Sequence, residues 1–168
     1  MKTRGFEVCS GYNDINIPVR KTKNSTGYDI EAAQTTLIPS LWKIIFKNLK
    51  LFFNGKNNFE EIKPTLVSTG IKSYFLDDEV LILANRSSFP LKKGLVMSNS
   101  IGIIDSDYYN NVTNEGELMF MYYNLSFKDV ILKKGEVCGQ AYFQKFLKAD
   151  NDISSNIRTG GFGSTNKN

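Results

Sequence analysis

Short apolar runs alternate with clusters of Gly, Asn, Asp and Pro along most of this chain. The runs Thr35–Ile38, Leu66–Phe75, Val80–Asn85, Gly94–Ser98, Glu117–Asn124, Val130–Leu132 and Val137–Phe146 read as strands. Many short strands between turn signals predict an all-β fold, closed or sandwiched. In the run Glu117–Asn124, Leu118, Phe120 and Tyr122 share one face, and Met119, Met121 and Tyr123 share the other. Both faces are apolar, so both need cover. A small barrel covers one face, and a subunit interface is the natural cover for the second.

One stretch departs from the strand pattern. Ser40–Phe53 has helical periodicity, with Ser40 as N-cap and Gly55 as stop. Lys43, Lys47, Lys50 and Asn54 fall on one stripe. Leu41, Trp42, Ile45, Leu49, Phe52 and Phe53 crowd the other face. The plainer reading is a surface helix packed on the β core. The sharper one is a docking helix for a protein partner or a membrane surface.

The length of 168 residues suits one domain, and the hydrophobic share of 41% is ordinary for a globular one. A net charge of +4 fits an anionic ligand but is too weak to argue for nucleic acid. There is no histidine, which removes His-based nucleophile systems and His-ligated zinc. Acid–base chemistry then falls to carboxylates, Lys, Tyr or Cys. Cys9 and Cys138 are too few for a disulfide framework and read as reduced, partly buried thiols. The start MKTRGFEVCS has no apolar leader core, and no apolar run is long enough to span a bilayer. A cytoplasmic protein without membrane attachment is expected. The polar, Gly-rich stretch 149–168 reads as a flexible C-terminal arm on a domain of residues 1–148, with 40–63 as a helical insertion.

Five short segments occur in one order: Thr26-Gly27-Tyr28-Asp29-Ile30, Asn85-Arg86-Ser87-Ser88, Gly102-Ile103-Ile104-Asp105-Ser106-Asp107-Tyr108, Gly135-Glu136-Val137-Cys138-Gly139-Gln140, and Arg158 through Gly160-Gly161-Phe162-Gly163-Ser164-Thr165. Each alone is a weak signal. Together, in this order, they resemble the five motifs of the trimeric dUTPase family, with details of its phage and Gram-positive branch. The resemblance runs from about Asn13 to Thr165.

The resemblance implies a distorted jelly-roll-like β barrel assembled as a homotrimer. Active sites would lie between subunits, and the C-terminal arm would close over a neighbour's site. It implies hydrolysis of dUTP to dUMP and pyrophosphate with Mg2+. Asp105 would be the base that activates water for attack on the α-phosphorus, with a turn-capping Asp as the plainer reading. Tyr108 would pack on the deoxyribose and leave no space for a 2′-hydroxyl, or else be a core aromatic. Asn99 and the backbone of Gly102, Ile103 and Ile104 would form a base-reading hairpin. Arg86, Ser87, Ser88 and Gln140 would hold the phosphate chain. Asp29 would hold magnesium through water, or simply support a turn. In the arm, Phe162 would stack on uracil, and Arg158, Gly163, Ser164 and Thr165 would meet the terminal phosphate.

Several positions depart from the family pattern. Asn85 replaces a proline before Arg86. Tyr109–Glu115 intervene before Gly116-Glu117. Val137 replaces an arginine, so an ion pair or phosphate contact is missing or supplied elsewhere. Arg158 sits one residue closer to Phe162. Two alternatives stay open at this point. One is a dCTP deaminase or bifunctional deaminase–diphosphatase, with Glu117 moving protons at the base. The other is a regulator that binds a protein partner through residues 40–58.

Overall fold

The computed structural model describes residues 2–153. Among these residues eleven strands pair antiparallel: β1 (Gly5–Val8), β2 (Tyr28–Glu31), β3 (Thr36–Ile38), β4 (Thr65–Ser68), β5 (Ile71–Tyr74), β6 (Glu79–Ala84), β7 (Leu95–Met97), β8 (Gly102–Ile104), β9 (Met119–Asn124), β10 (Val130–Leu132) and β11 (Val137–Lys145). Two helices interrupt them, α1 (Leu41–Phe53) and α2 (Ser88–Lys93). A four-stranded sheet in the order β2-β11-β6-β8 and a three-stranded sheet in the order β4-β9-β7 form the body. The ribbons β1-β5 and β10-β3 complete the jelly-roll-like barrel. No helix among the described residues is long and apolar enough to cross a membrane.

The core lies between the sheets. Ile30 of β2, Leu81 and Leu83 of β6, and Phe120 and Tyr122 of β9 are all fully buried in one cluster. Each such side chain contributes roughly 1.5–3 kcal/mol of transfer free energy. Strand alternation in β9 follows the expected faces: Phe120 and Tyr122 point inward, while Met119, Met121 and Tyr123 stay half-buried on the outside.

Three expectations are corrected. The run Leu66–Phe75 is two strands in different sheets, because the chain turns at Thr69-Gly70, where Gly70 takes φ +64°. Thr69 Oγ1 secures that corner by donating to the Leu118 carbonyl at 2.6 Å. The segment around Asn99 is not a paired hairpin. Its arms β7 and β8 join β9 and β6 respectively, and Ser100 at φ +61° makes the corner between them. Finally, α1 forms and stops at Gly55 (φ +69°) as expected, yet it is not packed on the β core.

None of the residues of α1 is buried. The helix is tied at its start, where the Ser40 hydroxyl donates to the Ser126 carbonyl rather than capping the helix. Trp42 Nε1 donates to the Leu125 carbonyl at 3.0 Å, and its ring stacks on Phe127. The chain then folds back along the helix. Asn48 exchanges two hydrogen bonds with the Glu60 backbone, and Ile45, Leu49, Phe52, Phe59 and Ile62 line a groove between the two. The apolar face of α1 therefore meets its own returning segment, leaves Phe52 and Phe53 exposed, and touches the barrel's loops at Trp42.

Candidate active site

Three motif segments converge at one end of the four-stranded sheet. Asp29 of β2 lies directly opposite Gln140 of β11, which in turn lies opposite Ala84 at the end of β6. The residues after β6 are Asn85, Arg86, Ser87 and Ser88, where the chain turns into α2. Gln140 Nε2 donates to the Asn85 carbonyl at 3.2 Å, and Arg86 Nη1 to the Val137 carbonyl at 3.4 Å. Gly27 permits this assembly, since a Cβ there would stand 2.6 Å from Gln140 Oε1. The bulge at Cys138-Gly139 re-aims Gln140 relative to Val137.

Asp29 and Glu31 share one face of β2 and line a cleft of about 320 Å³ with Asn16, Ile17, Val19 and Lys21. Asn16 donates to Glu31 at 2.9 Å. The cleft's acidic donors are carboxylate oxygens, the chemistry that suits a hard cation holding most of its waters. No cluster of three or more His, Cys, Asp or Glu able to cage a metal occurs among the described residues. The donor set fits magnesium held through water and does not fit a fully caged metal.

The third motif lies elsewhere on the same chain. Gly102–Ile104 form the edge strand β8, opposite the edge occupied by β2. Three strand spacings, about 14 Å, separate those edges. Asp105 follows β8 at the start of the 3-10 turn Ser106–Tyr108, is exposed, and makes no side-chain capping bond to that turn. The Tyr108 ring is buried behind it. Asn99 is exposed in the corner before β8, and Ile103 is 62% exposed. Gly102 is buried, and a Cβ there would stand 3.0 Å from Leu83 Cβ. One chain thus holds Asp29, Arg86 and Gln140 together and keeps Asp105 apart. Arg158, Phe162, Gly163, Ser164 and Thr165 lie outside the described residues.

Other residues near the site carry structure that the sequence did not flag. The Asn85 side chain donates to the Leu95 carbonyl at 3.0 Å, tying β6 to β7. Lys93 and Glu136 form an ion pair beside Val137. Burial opposes ionisation of Glu136, but Lys93 and the Lys133 amide outweigh it and hold the carboxyl below its ordinary range. Glu117 accepts from the Tyr12 hydroxyl and the Gly70 amide, each at 2.9 Å, and from the Ser68 hydroxyl. That buried carboxylate is a structural knot, which leaves the deaminase reading without support.

A model of the dUTPase family matches residues 56–166. The chain is 46% identical over 169 residues to the deoxyuridine 5'-triphosphate nucleotidohydrolase of Lactococcus lactis subsp. lactis, covering 98% of this chain and 99% of that one. The chain belongs to the dUTPase family. The crystal structure of a dUTPase from Streptococcus mutans superposes with a TM-score of 0.72 at 38% identity, covering 88% of this chain and 99% of that one. A variant dUTPase from phage phi11 of S. aureus, solved for the coordination of a structural Mg(II) ion, shares the fold. Its TM-score is 0.65 at 16% identity, over 93% of this chain and 99% of that one. In this dUTPase-family chain the Lys93–Glu136 ion pair lies at the fourth motif segment, beside Val137.

Proposed function

We propose that this chain hydrolyses dUTP to dUMP and pyrophosphate. The observation that carries the reading is the 46% identity, over nearly the whole of both chains, with a relative named for that hydrolysis.

Arg86, Ser87, Ser88 and Gln140 bind and straighten the triphosphate with charged and neutral donors. Asp105 takes a proton from a water whose oxygen attacks the α-phosphorus. The bond from that phosphorus to the bridging oxygen breaks, and pyrophosphate leaves with the electron pair. Mg2+ held through water by Asp29 would neutralise charge on the phosphate oxygens. The backbone of Gly102, Ile103 and Ile104, with Asn99, reads the uracil edge. Tyr108 abuts the deoxyribose. Residues 149–168 act as an arm on the 1–148 domain, bringing Phe162 to the base and Arg158, Gly163, Ser164 and Thr165 to the terminal phosphate.

The sites are shared in a homotrimer. Support comes from the separation of Asp105 from Arg86, Gln140 and Asp29 within one chain, and from the outer face of β9 with its neighbour Leu66, 48% exposed. Buried, unpaired Cys9 and Cys138 fit a reducing compartment, the cytoplasm.

The test is pyrophosphate release from dUTP with magnesium, for the wild type and Asp105→Asn. The variant is expected to lose activity by at least about 100-fold, with nucleotide binding nearly kept. Equal turnover by both proteins overturns the assigned base.

A further inference from the structure

The loop Tyr109–Gly116, where this chain departs from its family, is built around Tyr108. The Tyr108 hydroxyl receives a hydrogen bond from Asn114 Nδ2 at 2.8 Å and donates to the Glu117 carbonyl at 3.1 Å. The Tyr108 carbonyl accepts from Asn111 Nδ2 at 2.9 Å. The two asparagines are joined at 2.8 Å, and Asn114 Oδ1 also accepts the Gly116 amide at 3.2 Å. Both ends of Tyr108 are therefore held by one loop.

That loop is itself anchored. The Tyr109 hydroxyl donates to Glu7 at 2.5 Å, and Lys72 Nζ donates to Asn110 at 2.7 Å and to Glu115 at 3.1 Å. Glu7 and Lys72 are cross-strand neighbours in the β1-β5 ribbon. The clamp on Tyr108 is thus braced against the β1-β5 ribbon, and Glu115 also accepts from the amide and hydroxyl of Ser10 in the turn after β1.

We propose that Asn114 is a positioning residue for sugar discrimination, acting through Tyr108. The inference rests on the sugar-facing role proposed above for Tyr108. A ring excludes a 2′-hydroxyl only if it cannot yield by the width of an oxygen atom, and its far end is the end with the most freedom. Asn114 and the Glu117 carbonyl together fix that far end, and Asn114 is the side-chain half of the grip. Losing the bond lets the ring tilt, admits a ribonucleotide and leaves the phosphate chemistry in place.

The experiment measures kcat/KM for dUTP and for UTP by pyrophosphate release from the full chain with magnesium. Variants are Asn114→Ala, Tyr108→Phe, the two combined, and Tyr108→Ala. Asn114→Ala is expected to lower the dUTP-over-UTP ratio about fivefold, the effect of one neutral hydrogen bond, mainly through a lower KM for UTP. Tyr108→Phe removes that bond together with the one to the Glu117 carbonyl and is expected to lower the ratio at least as far, with no further loss when Asn114→Ala is added to it. A wild-type ratio in Asn114→Ala, or full additivity in the combined variant, overturns the inference. If Asn114→Ala does not fold, a wild-type ratio in Tyr108→Phe overturns it instead. If Tyr108→Ala keeps the wild-type ratio, the sugar-facing role falls and the inference with it. If Tyr108→Ala collapses the ratio and Asn114→Ala does not, only the inference falls.

Discussion

Gly139 has no side chain because Phe120 needs its space. A Cβ at that position would overlap the Phe120 ring, and Phe120 is fully buried with little freedom to retreat. Gly139→Ala is expected to cost about 1–3 kcal/mol by overpacking, read as a lower midpoint of thermal unfolding at fixed protein concentration. An unchanged midpoint would show that the bulge relaxes freely. Glu79 illustrates a charge at the same scale. Arg4 donates to both of its carboxylate oxygens, with Nε at 3.1 and 3.0 Å, and this holds the Glu79 carboxyl below its ordinary value despite burial. The folded chain then binds that proton less readily than the unfolded one. The stabilisation is complete above about pH 4.5 and is lost as pH falls through the lowered value. Glu79→Gln is expected to flatten the acid limb of the stability profile below about pH 4.5. A limb as steep as in the wild type would assign acid sensitivity to other carboxylates.

The helical arm tests whether an element can be legible yet misplaced. Its periodicity identified a helix correctly, but periodicity says only that one face is apolar, not what covers it. Here the cover is the segment running back past Phe59 and Ile62, while Phe46 is 56% and Phe53 80% exposed. The arm's junction with the barrel includes Trp42 on Phe127 and Lys43 with Asp129 at 2.7 Å. Trp42→Ala is expected to raise amide exchange through residues 41–62 while moving the midpoint of the barrel by no more than about 2 °C. A drop comparable to that of Phe120→Ala would mean the arm is part of the core. Hydrolysis is expected to survive the change, since none of the phosphate-facing residues lies on α1.

The separation of the motifs within one chain makes a prediction for the whole molecule. Asp29 lies on one edge strand of the four-stranded sheet and Asp105 just after the opposite one, and the proposed homotrimer would bring them into one site from different subunits. Asp105→Asn and Asp29→Asn are each expected to be nearly inactive alone. Unfolded together and refolded, they should regain about a quarter of wild-type activity. That is the share of interfaces in a randomly mixed cyclic trimer that pair two intact halves in the right order. No recovery, in a mixture shown by sedimentation to be trimeric, would place each site within a single chain.

The sequence by itself determined the strand-rich character, the helix and its stop, the buried face of β9 and the order of the motif residues. Alternation, turn residues and spacing are local properties, and they are written where they act. Strand order, corners and cover depend on contacts between distant residues. Only the tertiary structure decided that Leu66–Phe75 turns at Gly70, that α1 leans on its own returning segment, and that Glu117 is locked by Tyr12. It also set Asp29 beside Gln140 and Asp105 on the far edge. The grip of Asn114 on Tyr108 was legible only as an unexplained insertion, because a run of polar residues does not reveal which hydroxyl it will hold until the β1-β5 ribbon fixes where the loop must lie.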